Sequence, residues 1–87
     1  MNYKVYRLNK YSGVGKLRAF VDVLVNDEII IKGFKVIDGE QGLFVGNPSE
    51  KGKDNKYFDT VFFQIPNQKN ALEKVVLDEY EKQMETK

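Results

Sequence analysis

The sequence predicts an α+β domain in which an antiparallel sheet of about five strands is covered on one face by a C-terminal helix. Three observations carry this. Leu17, Ala19, Val21, Val23 and Val25 alternate with Lys16, Arg18, Phe20, Asp22 and Leu24, the period of a strand with one buried face. Asn26-Asp27 and Asp38-Gly39 are pairs that accept left-handed backbone and so turn the chain back on itself. Leu72, Val75, Val76, Tyr80 and Met84 fall at i, i+3, i+4, i+8 and i+12, one stripe of a helix. The chain of 87 residues makes a single domain, 1–87, without internal repeats.

Tyr3–Leu8 is the first strand, with Lys4 and Arg7 on a wet face. Ser12-Gly13 and Gly15 break the chain before the second strand, 16–25. The mixed face of that strand keeps Phe20 and Leu24 among its charges, which is more apolar than solvent requires. The return strand, Glu28–Ile37, contains Ile29, Ile30 and Ile31 in a row. Three adjacent residues cannot share one strand face, so either both faces are covered there or the strand is a dimer contact. Gly33 is placed for a bulge. Phe34, Val36 and Ile37, the Asp38-Gly39 turn and Leu43-Phe44-Val45 form the next hairpin, which Pro48 ends because it has no N–H for a ladder.

Residues 50–56 contain no apolar side chain and read as a flexible, net-positive loop. Tyr57–Ile65 alternates again and reads as a fifth strand, ended by Pro66. Asn67, or alternatively Asn70 with Glu73 three residues on, would cap the helix. One helix cannot cover both faces of the sheet. Phe20, Leu24, Ile30 and Phe62 need a second cover, and a homodimer would supply it.

Composition narrows the chemistry. The chain has no Cys and no His, which rules out disulfides, thiolate ligands, Ser-His triads and Cys-His dyads. No Asp/Glu group has metal-binding spacing, and Gly13-Val14-Gly15-Lys16-Leu17 is followed by a strand rather than the helix a phosphate loop requires. Neither a catalytic centre nor a cofactor site is expected, so the protein reads as a non-enzyme. No apolar run approaches the ~18 residues of a membrane helix, and the N-terminus lacks the apolar core of a signal peptide. The expected location is the cytosol.

The net charge of +1 hides an asymmetry: residues 1–35 hold seven cations and three anions. Lys16 and Arg18 are expected on one face of the second strand, and Lys51, Lys53 and Lys56 on the loop. These five are the candidate phosphate contacts. Tyr3, Tyr6, Tyr11, Phe20 and Tyr57 are aromatic neighbours able to stack on unpaired bases. The helix is a poor phosphate surface, with Lys69, Lys74, Lys82 and Lys87 against Glu73, Asp78, Glu79, Glu81 and Glu85.

The longest run of motif residues is Lys35-Val36-Ile37, Asp38-Gly39, Gly42-Leu43-Phe44-Val45 and Pro48-Ser49. It resembles the signature of the septation protein SpoVG (stage V sporulation protein G) family. Arg7-Leu8, Gly15-Lys16-Leu17-Arg18-Ala19, Phe58-Asp59, Val76 and Glu79-Tyr80 extend the likeness over nearly the whole chain. The resemblance implies a small dimeric α+β protein that affects septum formation and sporulation in bacteria and binds DNA, in some members RNA. In that family Pro-Ser is typically followed by a Lys-Arg pair associated with DNA binding. Here Pro48-Ser49 is followed by Glu50-Lys51, so Lys51 carries over and Glu50 does not. Phe58 stands where many members have Arg. The sequence thus leads to a nucleic-acid-binding regulator. A protein-interaction module that acts on division or gene expression without touching nucleic acid is the alternative that Glu50 and the near-zero net charge favour.

Overall fold

Four strands pair in chain order in the computed structural model, which describes residues 1–85. They are β1 (Tyr3–Lys10), β2 (Leu17–Val25), β3 (Ile29–Gly39) and β4 (Gly42–Gly46), and every neighbouring pair is antiparallel. A separate two-stranded ribbon, β5 (Ser49–Lys51) with β6 (Tyr57–Asp59), follows. Helix α1 (Pro66–Glu85) then crosses one face of the four-stranded sheet. The α+β architecture is the expected one, but the five-stranded sheet is corrected to four strands plus a ribbon. Lys87 lies outside the described residues.

The core sits between sheet and helix. Ala19, Val21, Val23 and Val25 of β2 face Phe34, Val36 and Val45 across the sheet, and Leu72, Val76 and Tyr80 of α1 close the layer. Met84, the last position of the expected stripe, is half exposed. One residue earlier, Lys10 Nζ, from the last residue of β1, donates to the Gln83 carbonyl at 3.1 Å. A cation at a helix C-terminus is favourably placed against the helix dipole.

The three isoleucines are divided between the two faces by ordinary strand alternation. Ile29 and Ile31 oppose Val25 and Val23, on the helix side, whereas Ile30 opposes Leu24 on the outer face. Side chains of opposed residues share a face. A β-bulge follows at Lys32-Gly33, after which the even positions Phe34 and Val36 point to the core. Gly33 has φ +98°, and a Cβ there would lie 3.6 Å from the Pro48 Cβ. Backbone of that sign strains any side-chain-bearing residue. A second shift, between Val5 and Arg7, moves β1 from Tyr3 and Val5 to Leu8 on the core side.

The turn at Asn26-Asp27 forms as expected, with φ of 54° and 56° and Glu28 N–H donating to the Val25 carbonyl at 3.0 Å. The expected Asp38-Gly39 turn is corrected: both residues belong to β3 and pair with β4, and the chain turns at Glu40-Gln41. Two expectations at the helix start are corrected. Neither Asn67 nor Asn70 is the cap. The helix opens on Pro66, whose missing N–H costs nothing in the first turn, and Gln68 N–H donates to the Ile65 carbonyl at 3.0 Å. Glu73 does not close a capping box. Its Oε2 accepts the Val45 N–H at 2.9 Å, which satisfies an amide on the outer edge of β4. Tyr3 is buried, donates its hydroxyl to Gln68 Oε1 at 2.9 Å and packs edge-on to Phe63. Burial pushes its phenol pKa above the ordinary value.

β4 reaches only as far as Lys35 on β3. Among the described residues, Ile29–Phe34 therefore has no strand on its far side. The outer sheet face keeps Phe20, Ile30 and Phe44 about two-fifths exposed, and Tyr11 covers part of Phe20 edge-on with ring centroids 6.1 Å apart.

Candidate nucleic-acid interface

Residues 49–59 fold as a hairpin rather than the expected flexible loop and fifth strand. Pro48 cannot extend the β4 ladder, so the chain leaves the sheet and pairs with itself. The closing turn is local chemistry: Gly52 N–H donates to the Lys56 carbonyl at 2.8 Å and Asn55 N–H to the Gly52 carbonyl at 3.1 Å. Asn55 adopts φ 64°, and Asp54 Oδ1 accepts the Lys56 N–H at 3.1 Å. The signal was in the sequence: Gly52 with Asp54-Asn55 between Lys51 and Tyr57 is a turn between two strand-forming ends.

The base of the hairpin is fixed. Pro48 is buried against Gly33, Lys35 Nζ donates to Ser49 Oγ at 2.8 Å, and Thr60 N–H returns to the Pro48 carbonyl at 2.8 Å. Lys35 was not among the candidate contacts, and its ammonium is engaged in this tether. Beyond the base, Glu50, Lys51 and the whole of β6 are exposed. Neither face of the ribbon is a core face.

The structure brings Lys51, Lys53 and Lys56 together on this hairpin, all exposed. Lys16 and Arg18 lie elsewhere, at the β3–β4 end of the sheet. Lys16 precedes β2 rather than sitting on it, and its carbonyl accepts the Asp38 N–H at 2.8 Å. The register slips between Leu17 and Ala19, so the expected shared strand face for Lys16 and Arg18 does not form. The Arg18 guanidinium donates to the Gly15 carbonyl at 2.7 Å and pairs with Asp38 Oδ2 at 3.4 Å. Arg18 is thus partly committed to holding the loop before β2 against the end of β3.

The hairpin's electrostatics are more balanced than the loop reading suggested. With Asp59 included, residues 49–59 carry three lysines and three acids, Glu50, Asp54 and Asp59. The register orders them. Lys51 opposes Tyr57 on one face, and Glu50 opposes Phe58 on the other. The cations cluster at the outer end, while Ser49 and Asp59 pair at the base.

Among the described residues no group of His, Cys, Asp and Glu is placed to share a metal ion. No helix among them is long and apolar enough to cross a membrane. An apolar groove of about 290 Å³ lies between sheet and pre-helix segment, lined by Met1, Tyr3, Val25, Ile31, Phe62 and Ile65 among others.

The SpoVG family model matches residues 1–82. Named relatives agree. A protein of Lachnospira eligens called "Putative septation protein SpoVG" is 39% identical over 82 residues, which is 94% of this chain and 93% of the relative. A protein of the same name from Clostridium perfringens is 35% identical over 82 residues, 94% of this chain and 91% of its own length. One from Fusobacterium nucleatum is 42% identical over 65 residues, 75% and 70% of the two chains. The likeness seen in the strand–turn–strand motif therefore extends through both edges of the sheet and most of the helix, and the chain belongs to the SpoVG family.

Proposed function

We propose that the protein is a bacterial regulator of the SpoVG type, acting in septation and sporulation and in gene expression by binding DNA or RNA mainly through phosphates. The septation role is supported by the names of its relatives. The observation that carries the binding step is the β5–β6 hairpin, which holds Lys51, Lys53 and Lys56 on a ribbon with no core face. Exposed lysines on such a ribbon can neutralise phosphates without reading sequence. Among the described residues no helix carries a row of groove-reading Arg and Asn side chains, so direct base readout in a major groove has no support.

The proposed protein is a homodimer. The unpaired edge Ile29–Phe34 and the outer apolar residues Phe20, Ile30 and Phe44 support this. A two-fold pair would present two hairpins to one nucleic acid. Light scattering should report twice the 10.1 kDa chain mass; a monomer at micromolar concentration removes the paired surface.

A second reading, a protein-interaction module in division or gene expression, is favoured by the apolar groove at Met1, Phe62 and Ile65, whose three side chains are more than half exposed. Titration against duplex DNA, single-stranded DNA and RNA at two salt concentrations separates the two. Binding that weakens as salt rises supports the regulator. No binding at low salt, or binding indifferent to salt, supports the module.

A further inference from the structure

The hairpin also carries two aromatic rings that packing does not explain. Tyr57 is 70% exposed and Phe58 52% exposed. They are adjacent on β6 and so point to opposite faces of a ribbon in which no strand residue is buried. The two faces differ in charge. Phe58 shares its face with Glu50, whereas Tyr57 lies directly opposite Lys51 and follows Lys56 in the chain, with Asp59 on the same face only at the base of the ribbon.

We propose that Tyr57 is a stacking platform for an unpaired base, flanked by Lys51 and Lys56 as contacts for the phosphates on either side. The hairpin then prefers single-stranded over duplex nucleic acid. This deepens the nucleic-acid reading above and rests on it.

The chemistry favours the single strand. Every base has a π-face, so one exposed ring with neighbouring cations binds unpaired nucleotides with little sequence preference. Directly opposed residues have Cβ atoms roughly 5 Å apart, which puts the Lys51 ammonium within reach of the backbone of a base lying on Tyr57. A duplex hides those faces by pairing and stacking. The remaining duplex mode, a two-stranded ribbon inserted into the major groove, meets phosphates on both sides. Glu50 lies on one face of this ribbon and Asp59 at the base of the other, so insertion would bring acids against phosphates.

Binding of oligothymidylate, oligouridylate and a mixed-sequence duplex of equal length to the full chain, followed by fluorescence anisotropy, tests this. Three variants are compared with the wild type: Tyr57→Ala, Tyr57→Phe and the triple change of Lys51, Lys53 and Lys56 to Ala. Tyr57→Ala should lower single-strand affinity roughly 5- to 150-fold, the range seen when a stacking ring is removed. It should leave duplex affinity and the mass by light scattering unchanged, and Tyr57→Phe should retain single-strand binding. The triple lysine variant should weaken all three ligands. If Tyr57→Ala binds single strands as the wild type does, or loses all three ligands equally, or changes mass, the stacking role is wrong. Should the lysine variant lose binding while Tyr57→Ala does not, the phosphate reading stands and only this proposal falls. If the wild type binds none of the three, both fall.

Discussion

Phe34 on β3 and Tyr57 on β6 are both aromatic residues on antiparallel strands. Phe34 is fully buried between sheet and helix, with Phe63 tilted against it at 6.4 Å between ring centroids, whereas Tyr57 is 70% exposed. The difference divides the molecule. In the sheet and helix, residue choice follows the core: small and β-branched side chains interdigitate, and the register shifts at Val5/Arg7 and Val21/Val23 keep apolar residues on one side. In the ribbon nothing is buried except its base, so composition there is free of packing. Exposed rings and cations on a scaffold-anchored element are where recognition is expected.

The comparison predicts its own ordering of effects. Phe34→Ala opens a cavity at a fully buried site and should cost about 3–5 kcal/mol in urea unfolding, enough to threaten folding of a domain this small. A loss under 1 kcal/mol, on the order of an ordinary surface change, would mean that the core is not organised around this ring. Glu73→Ala removes the acceptor of the Val45 amide and should cost about 1–3 kcal/mol. The protected Val45 amide should also exchange faster with solvent; unchanged exchange would place that hydrogen bond outside the native ensemble.

Tyr3→Phe sits between the two regions in size of effect. It deletes the hydrogen bond to Gln68 and should cost about 0.5–1.5 kcal/mol at neutral pH. Its pH dependence has a definite sign. The folded-state pKa of Tyr3 is raised by desolvation, so the folded protein holds this proton more tightly. The contribution is therefore fully present below the unfolded value of about 10 and is lost as pH rises through the folded value. Wild type minus Tyr3→Phe stability should be flat from neutral pH to that point and then fall; a difference that grows with pH there would contradict the burial of this phenol.

Legibility followed the same division. The sheet was readable because the alternation of β2 and the turn at Asn26-Asp27 each have one physical explanation. Two bulges were less so. Gly33 marked one of them, while the shift between Val5 and Arg7 involves no glycine and is fixed only by pairing with β2. Tyr57–Ile65 misled because a period of two reads the same in a main sheet and in a ribbon. What decides is Pro48, which detaches the chain from β4 and leaves only Ser49–Lys51 as a partner, so only Tyr57–Asp59 pairs. Lys51, Lys53 and Lys56 came together as their sequence proximity suggested. Lys16 and Arg18 did not form a face, because their geometry depends on Asp38, twenty residues away from Arg18.

The central claim is that the hairpin binds phosphates and does not hold the fold. Its most direct test is the salt dependence of duplex DNA binding by the variant with Lys51, Lys53 and Lys56 all changed to Ala, measured beside its urea unfolding. The account predicts unfolding free energy within about 0.5 kcal/mol of wild type, as for surface residues that touch nothing buried. It also predicts weaker binding to all sequences, with the slope of log K against log salt flattened by about 0.9 for each phosphate no longer neutralised. Unchanged affinity and slope in a folded variant would contradict it and leave Lys16 and Arg18 as the remaining candidates.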